Sequence, residues 1–265
     1  MTVISTVPSQ TELLFDLGLR EEVTGITKFC VHPSEWFHTK TRIGGTKNLN
    51  IKKIVELNPD LIIANKEENV KEQIEELSRK DSAGKKQFRV YVSDVKNLDD
   101  ALKMIFDVGE LVNKKEEAEK IIKEIKNHFR NLIPPKEGQT SPDNYRDKLQ
   151  TVLYLIWRKP FMTAGQDTFI HDMLTRCGLK NSFGNLRRYP EVTPGQIASV
   201  QPDFIFLSSE PYPFKEKHME ELKIISPASK IILVNGEYFS WYGSRLLKAA
   251  EYFRKLREEM SHELH

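Results

Sequence analysis

The chain is short of cysteine, of long apolar runs and of charge of one sign, and each shortage removes a class of protein. Only two cysteines, Cys30 and Cys177, occur in 265 residues. They fall in different halves, so no bridge is expected, both read as small buried thiols, and the redox compartment stays open. No apolar run approaches the roughly 20 residues that cross a bilayer as a helix. The 40 Lys plus Arg stand against 38 Asp plus Glu, which leaves no basic field for nucleic acid and no cationic block for a membrane surface. Neither is expected as a partner. Missing too are Gly-x-Gly-x-x-Gly, Gly-x-x-x-x-Gly-Lys, Gly-x-Ser-x-Gly and His-Glu-x-x-His, so the first expectation is a protein without catalysis and without a cofactor. Residues 1–7 read as a strand and not as a secretory leader, so the chain is expected either to be made without one or to have lost it.

What is present is an alternation of strands and helices, which argues for an α/β fold with parallel sheets covered on both faces. Residues 3–7, 23–29, 61–64 and 88–92 read as strands of a first half; 152–157, 204–207 and 231–234 read as strands of a second. The halves resemble each other. A helix leading to Leu17-Gly18-Leu19 matches one leading to Cys177-Gly178-Leu179, and a short helix feeds Pro59-Asp60 and a buried strand just as another feeds Pro202-Asp203. Between them, apolar residues return at Leu98, Leu102, Ile105, Val108, Val112, Ala118, Ile121, Ile122, Ile125, Phe129 and Leu132. That spacing predicts one helix over 98–133, roughly 50 Å long at 1.5 Å per residue, capped by Asn97, stopped by Pro134 and Pro135, and weakest at Gly109. Residues 136–147 read as an exposed connector. The expected organisation is an α/β lobe over 1–97, a connecting backbone helix over 98–133 and a second α/β lobe over 134–265.

In open parallel sheets ligands lie beyond the carboxyl ends of the strands. The loops there hold Cys30, His32, Trp36, Trp157, Arg188, Tyr189, Glu191, Tyr212, Phe214, Trp241, Tyr242 and Arg245, including all three tryptophans of the chain. Aromatic faces with a few polar groups suit a large, flat or conjugated ligand. Cys30 and His32 have a metal-like spacing without a third ligand, so no metal site is expected. Arg245 opens a helix, where a cation is unfavourable unless it reaches a partner.

Several stretches, in order along the whole chain, resemble one family. Pro8-Ser9-Gln10-Thr11-Glu12, Gly25-Ile26-Thr27 running to Cys30, Gly44-Gly45 and Leu57-Asn58-Pro59-Asp60-Leu61-Ile62 are similar to its first lobe. Met162-Thr163-Ala164-Gly165, Arg188-Tyr189-Pro190-Glu191-Val192-Thr193, Ser209-Glu210-Pro211-Tyr212-Pro213-Phe214 and Ser240-Trp241-Tyr242-Gly243-Ser244-Arg245 are similar to its second. The family is the class III, helical-backbone substrate-binding proteins of ABC importers, which bind vitamin B12, ferric siderophores or haem, and the vitamin B12 branch is the nearest. The resemblance implies two lobes joined by a long helix, a monomer, an extracytoplasmic setting, and capture of a metal chelate in the cleft between lobes: a corrinoid first, a ferric siderophore or haem next. It places Tyr189, Glu237 and Trp241 at pocket positions, Trp241 standing where an arginine is expected. It also places Lys52 and Gly195 where transporter-coupled members carry glutamates that dock on permease arginines. That departure keeps a second expectation open, a stand-alone cytoplasmic chelate-binding or chelate-remodelling protein with no transporter.

Overall fold

The computed structural model describes residues 1–79, 87–130, 132 and 149–263. Strands and helices alternate through β1 (Val3–Ser5), α1 (Pro8–Asp16), β2 (Val23–Ile26), α2 (Ser34–Thr39), β3 (Thr41–Arg42), β4 (Gly44–Gly45), β5 (Asn48–Leu49), α3 (Ile51–Leu57), β6 (Leu61–Asn65), α4 (Lys71–Leu77), β7 (Arg89–Ser93), α5 (Leu98–Leu111) and α6 (Lys115–Arg130). They continue through β8 (Thr151–Trp157), β9 (Phe161–Thr163), α7 (Phe169–Arg176), β10 (Lys180–Asn181), β11 (Glu191–Val192), α8 (Pro194–Val200), β12 (Phe204–Ser208), α9 (Met219–Ile225), β13 (Lys230–Val234), α10 (Glu237–Ser240) and α11 (Leu246–Glu263). Among the described residues no helix is long and apolar enough to cross a membrane. The proposed helix stop at Pro134 and Pro135 and the connector over 136–147 lie outside the described residues.

Two compact units result. One comprises Met1–Val95, Asp99–Lys123 and Trp241–Arg245; the other comprises Lys96–Leu98, Glu124–Ser240 and Leu246–His265. This differs from the expected division at 97 and 133: the connecting stretch is shared out between the units, and residues 241–245 return to the first.

The first unit is built on five parallel strands in the order β3-β2-β1-β6-β7. All five residues of β6 are buried, as a parallel strand covered on both faces requires. The second is built on β11-β9-β8-β12-β13, with β10 beside β8. Here β8, β10, β12 and β13 run parallel, β9 runs antiparallel to β8, and β11 pairs antiparallel with β9 and so runs the same way as β8. Only Arg158, Lys159 and Pro160 separate β8 from β9, too few residues for a parallel crossover, so the chain must turn back on itself.

The internal resemblance extends to individual hydrogen bonds. Gly18 (φ 88°) ends α1 and Gly178 (φ 79°) ends α7 in the left-handed conformation that glycine adopts without a Cβ penalty. In both, two amides reach back into the last turn, Leu19 N to Leu14 O at 3.1 Å and Leu179 N to Leu174 O at 3.0 Å. Asp60 accepts from Thr2 N at 2.6 Å, and Asp203 accepts from Thr151 N at 2.7 Å, each clamping the start of a central strand.

The continuous helix over 98–133 is not formed. Two helices of 14 and 16 residues replace it. Asn113 takes a left-handed φ of 57°, Lys114 N donates to Gly109 O at 2.7 Å, and Asn113 N donates to Glu110 O at 3.3 Å, a complete helix-ending motif with asparagine in glycine's usual place. α6 then starts with Glu116 and Glu117 at the positive dipole end. The apolar pattern carried this break, since six positions separate Val112 from Ala118 where three or four would continue the stripe.

Gly109 is therefore not a weak point in a strut. It is buried, and a Cβ built on it would overlap the Cβ of Ala118 and lie 3.0 Å from Lys114 O. In a single helix Gly109→Ala would add about 1 kcal/mol of stability. In this corner we expect it to cost about 1–3 kcal/mol through overpacking, read as a lower urea midpoint. A raised midpoint would restore the single-helix geometry.

Candidate functional site

In the first unit the carboxyl ends of β1, β2 and β6 are covered by residues 241–245. Arg245 donates from Nε to Glu12 Oε2 on α1 at 3.0 Å, and its Nη2 lies 2.9 Å from Oε1 as an ion-pair contact. Both side chains are largely buried, 10 % and 16 % exposed. The guanidinium lies 5.0 Å from the ring centroid of Trp241, and that ring meets the imidazole of His32 edge-on at 5.6 Å. Tyr242 donates its hydroxyl hydrogen to Glu68 Oε1 at 2.8 Å. Burial, and then the charge of Glu68, push the Tyr242 phenol well up, so it remains a neutral donor. A Cβ on Gly243 would stand 2.8 Å from Ser9 O, so only glycine lets this segment lie on the first turn of α1.

Burial raises the Glu12 carboxyl above its ordinary range, outweighing the opposing pull of Arg245; Asp16 adds to the rise and His32 subtracts from it. Folding thus disfavours the ionised form of Glu12. Its contribution to stability is full below its ordinary value of 4.5 and is lost as pH rises through the raised folded value.

Not all the expected residues reach a ligand surface. Cys30 is wholly buried, its sulfur 3.1 Å from the hydroxyls of both Thr11 and Thr27. Burial raises its thiol pKa, so it is an inert packing group. Trp36 is buried edge-on against Phe15 at 5.3 Å, on the side of α2 that faces the core. Phe214 belongs to the hydrophobic core of the second unit. These three are corrected from ligand contacts to core: each sits in a loop or short helix that folds inward, which loop position alone does not reveal. Trp241 and Tyr242, each 6 % exposed, offer at most an edge. Among the described residues no three His, Cys, Asp or Glu side chains could hold a metal ion together.

In the second unit the carboxyl end of β8 presents Trp157 with 41 % of its surface exposed. Tyr212, from the loop after β12, packs edge-on against it at 5.6 Å and is itself backed by Phe214 at 4.8 Å and His218 at 5.6 Å. His218 has both ring nitrogens engaged, Nδ1 by Lys215 N at 2.9 Å and Nε2 by Tyr212 Oη at 3.4 Å. Burial first, and the nearby charge of Arg158 second, lower its pKa and favour the neutral ring. Arg158 pairs with Glu221 at 2.7 Å. Trp157 stands opposite Met162, and Met162 opposite Glu191, so the three occupy one row across β8, β9 and β11 on the same face. The exposed Glu191 is thereby about two strand spacings, roughly 10 Å, from Trp157.

Arg188 is exposed at φ 60°, its guanidinium 5.8 Å from the half-buried ring of Tyr189 and its amide bonded to Asp167. Glu237 opens α10, its amide donating to Asn235 Oδ1 at 3.0 Å. Lys52 and Gly195 are exposed in the first turns of α3 and α8. Sequence reasoning missed Glu12 and Glu68. The available signal was Arg245 at a helix start, which demands an anionic partner.

Arg245→Ala strands the Glu12 carboxylate and should cost about 3–5 kcal/mol at pH 7, whereas the paired Glu12→Gln/Arg245→Met change should recover most of that, both read by chemical denaturation. A single variant no less stable than wild type would show the pair to be idle. From the sign above, the stability of wild type relative to Glu12→Gln should fall as pH is raised above 4.5; a rise over that window would contradict the burial argument.

Comparison with known proteins agrees with this architecture. The model of the periplasmic binding protein family matches residues 3–224. The chain is 26 % identical over 204 residues to the uncharacterized ABC transporter substrate-binding lipoprotein YvrC of Bacillus subtilis, spanning 77 % of this chain but 62 % of that one. It is 25 % identical over 252 residues to the vitamin B12-binding protein of Pectobacterium carotovorum, covering 94 % and 85 % of the two chains. Among solved structures, the periplasmic vitamin B12-binding protein BtuF of Vibrio cholerae superposes with a TM-score of 0.76 at 22 % identity over 98 % of this chain and 97 % of that one. The periplasmic haem-binding protein BhuT does so with 0.78 at 18 % over 100 % and 99 %. Two α/β units with these sheets and a family match over most of the length lead to one conclusion: the chain belongs to the periplasmic binding protein family and has the class III substrate-binding fold.

Proposed function

We propose that this protein captures a large metal chelate reversibly, without covalent chemistry, as the substrate-binding component of an ABC importer. A corrinoid is the first ligand, a haem or ferric siderophore the next. The observation that carries the reading is the platform at the end of β8: an indole exposed over 41 % of its surface, held rigid by Tyr212, with Met162 and Glu191 in the same row. A rigid aromatic face loses little entropy on binding and buries a large area against a flat ring system. The similarity to vitamin B12-binding proteins along 94 % of the chain supports the choice of ligand. Cys30, locked between two threonines, gives no support to chelate remodelling.

Coupling to a permease is part of the proposal, through contacts that differ from those of the vitamin B12 importers. Lys52 would repel a permease arginine and Gly195 offers no charge, so the electrostatic pairing must come from elsewhere on the surface.

Titration of the purified protein with cyanocobalamin, haem and a ferric hydroxamate, followed by tryptophan fluorescence, tests the reading. Saturable quenching by at least one is expected, with Trp157→Ala weakening that ligand by about tenfold or more. No quenching by any of the three would overturn it.

A further inference from the structure

Glu12 lies in α1, belongs to no loop at the carboxyl ends, and yet controls what those loops present. We propose that Glu12 is a positioning residue for the ligand-binding face of the first unit: its carboxylate fixes Arg245, and Arg245 in turn sets the ring of Trp241 against His32. The inference rests on reading this face as part of the chelate-binding surface.

The geometry forms a chain of four groups. α1 is anchored by Leu13 and Leu14, both fully buried, so Glu12 starts from a rigid base. Its Oε2 accepts a hydrogen bond from Arg245 Nε at 3.0 Å while Oε1 lies 2.9 Å from Nη2 as an ion-pair contact, which together hold the guanidinium in place. The position matters because the same guanidinium lies 5.0 Å from the Trp241 centroid, in cation–π range and with little water to weaken the attraction. Trp241 then meets His32 edge-on at 5.6 Å with the rings inclined at 70°. The segment carrying Arg245 has a second, separate anchor, Tyr242 on Glu68, and contacts the backbone of Ser9 through Gly243. Loss of Glu12 would therefore leave residues 241–245 in place while releasing the guanidinium from its grip, so the effect falls on the orientation of Trp241 and not on the path of the chain.

A merely structural ion pair would affect stability and leave the indole where it is. The distinguishing measurement is the indole N–H resonance of Trp241 in nitrogen-15-labelled full-length protein, assigned by its loss in Trp241→Phe. In Glu12→Gln this resonance should shift by more than its linewidth while those of Trp36 and Trp157 stay, and Glu12→Asp should bring it part of the way back. Affinity for cyanocobalamin should fall about tenfold in Glu12→Gln. An unmoved Trp241 resonance in folded Glu12→Gln overturns the proposal. Should Glu12→Gln fail to fold, Arg245→Lys keeps the charge but loses the Nε hydrogen bond to Glu12 and the planar guanidinium, and the same shift is expected; an unmoved resonance there overturns the proposal equally. Failure of the functional reading has a different signature: wild type binds none of the chelates although the Trp241 resonance responds to Glu12.

Discussion

A carboxylate in the first helix meets an arginine 233 positions further along the chain, and on that meeting rests the orientation we propose for the strand-end face of the first unit. Residues 241–245 belong to the first compact unit, held there by Tyr242 on Glu68 and by the close approach of Gly243 to Ser9 as well as by this pair. Charged groups this deeply buried gain little net stability from each other, because the cost of leaving water nearly cancels the attraction. Their value is in specifying geometry. Glu12 holds the cation by one hydrogen bond from Nε and one ion-pair contact, and the same guanidinium lies 5.0 Å from the ring centroid of Trp241.

The second unit solves its problem differently. Its platform uses no buried charge; Trp157 is held by the edge of Tyr212, and Tyr212 by Phe214 and His218, which are themselves core. Two units built on the same repeat, down to the Thr2–Asp60 and Thr151–Asp203 clamps, have thus acquired different faces at equivalent strand ends. The repeated parts are those that build the sheet. The divergent parts are the segments beyond the strand ends.

Much of this was legible in the residues. Strand–helix alternation, the paired Gly18 and Gly178 helix ends and the Pro-Asp entries are local features, and local chemistry determines them. The break at Asn113 was also written in the sequence, as a five-residue gap in an otherwise regular stripe and as acidic residues poised to start a new helix. A long run of matching spacing on either side outweighed it. The candidate site was legible only in outline. That Trp157 faces outward while Trp36 and Phe214 face inward is decided by tertiary packing, and no spacing rule distinguishes them. Glu12 was invisible for the same reason: its partner is nearly the whole chain away, and only the anomaly of a cation at a helix start pointed to it.

Capture without chemistry is the central claim, and recovery of the ligand tests it most directly. Protein saturated with cyanocobalamin or haem, then unfolded to release its ligand, should return a 1:1 amount of chelate with an absorption spectrum and mass identical to those of the material added. A released chelate that has lost its metal, its axial group or part of its ring would contradict the account and make this protein an agent of chemical change.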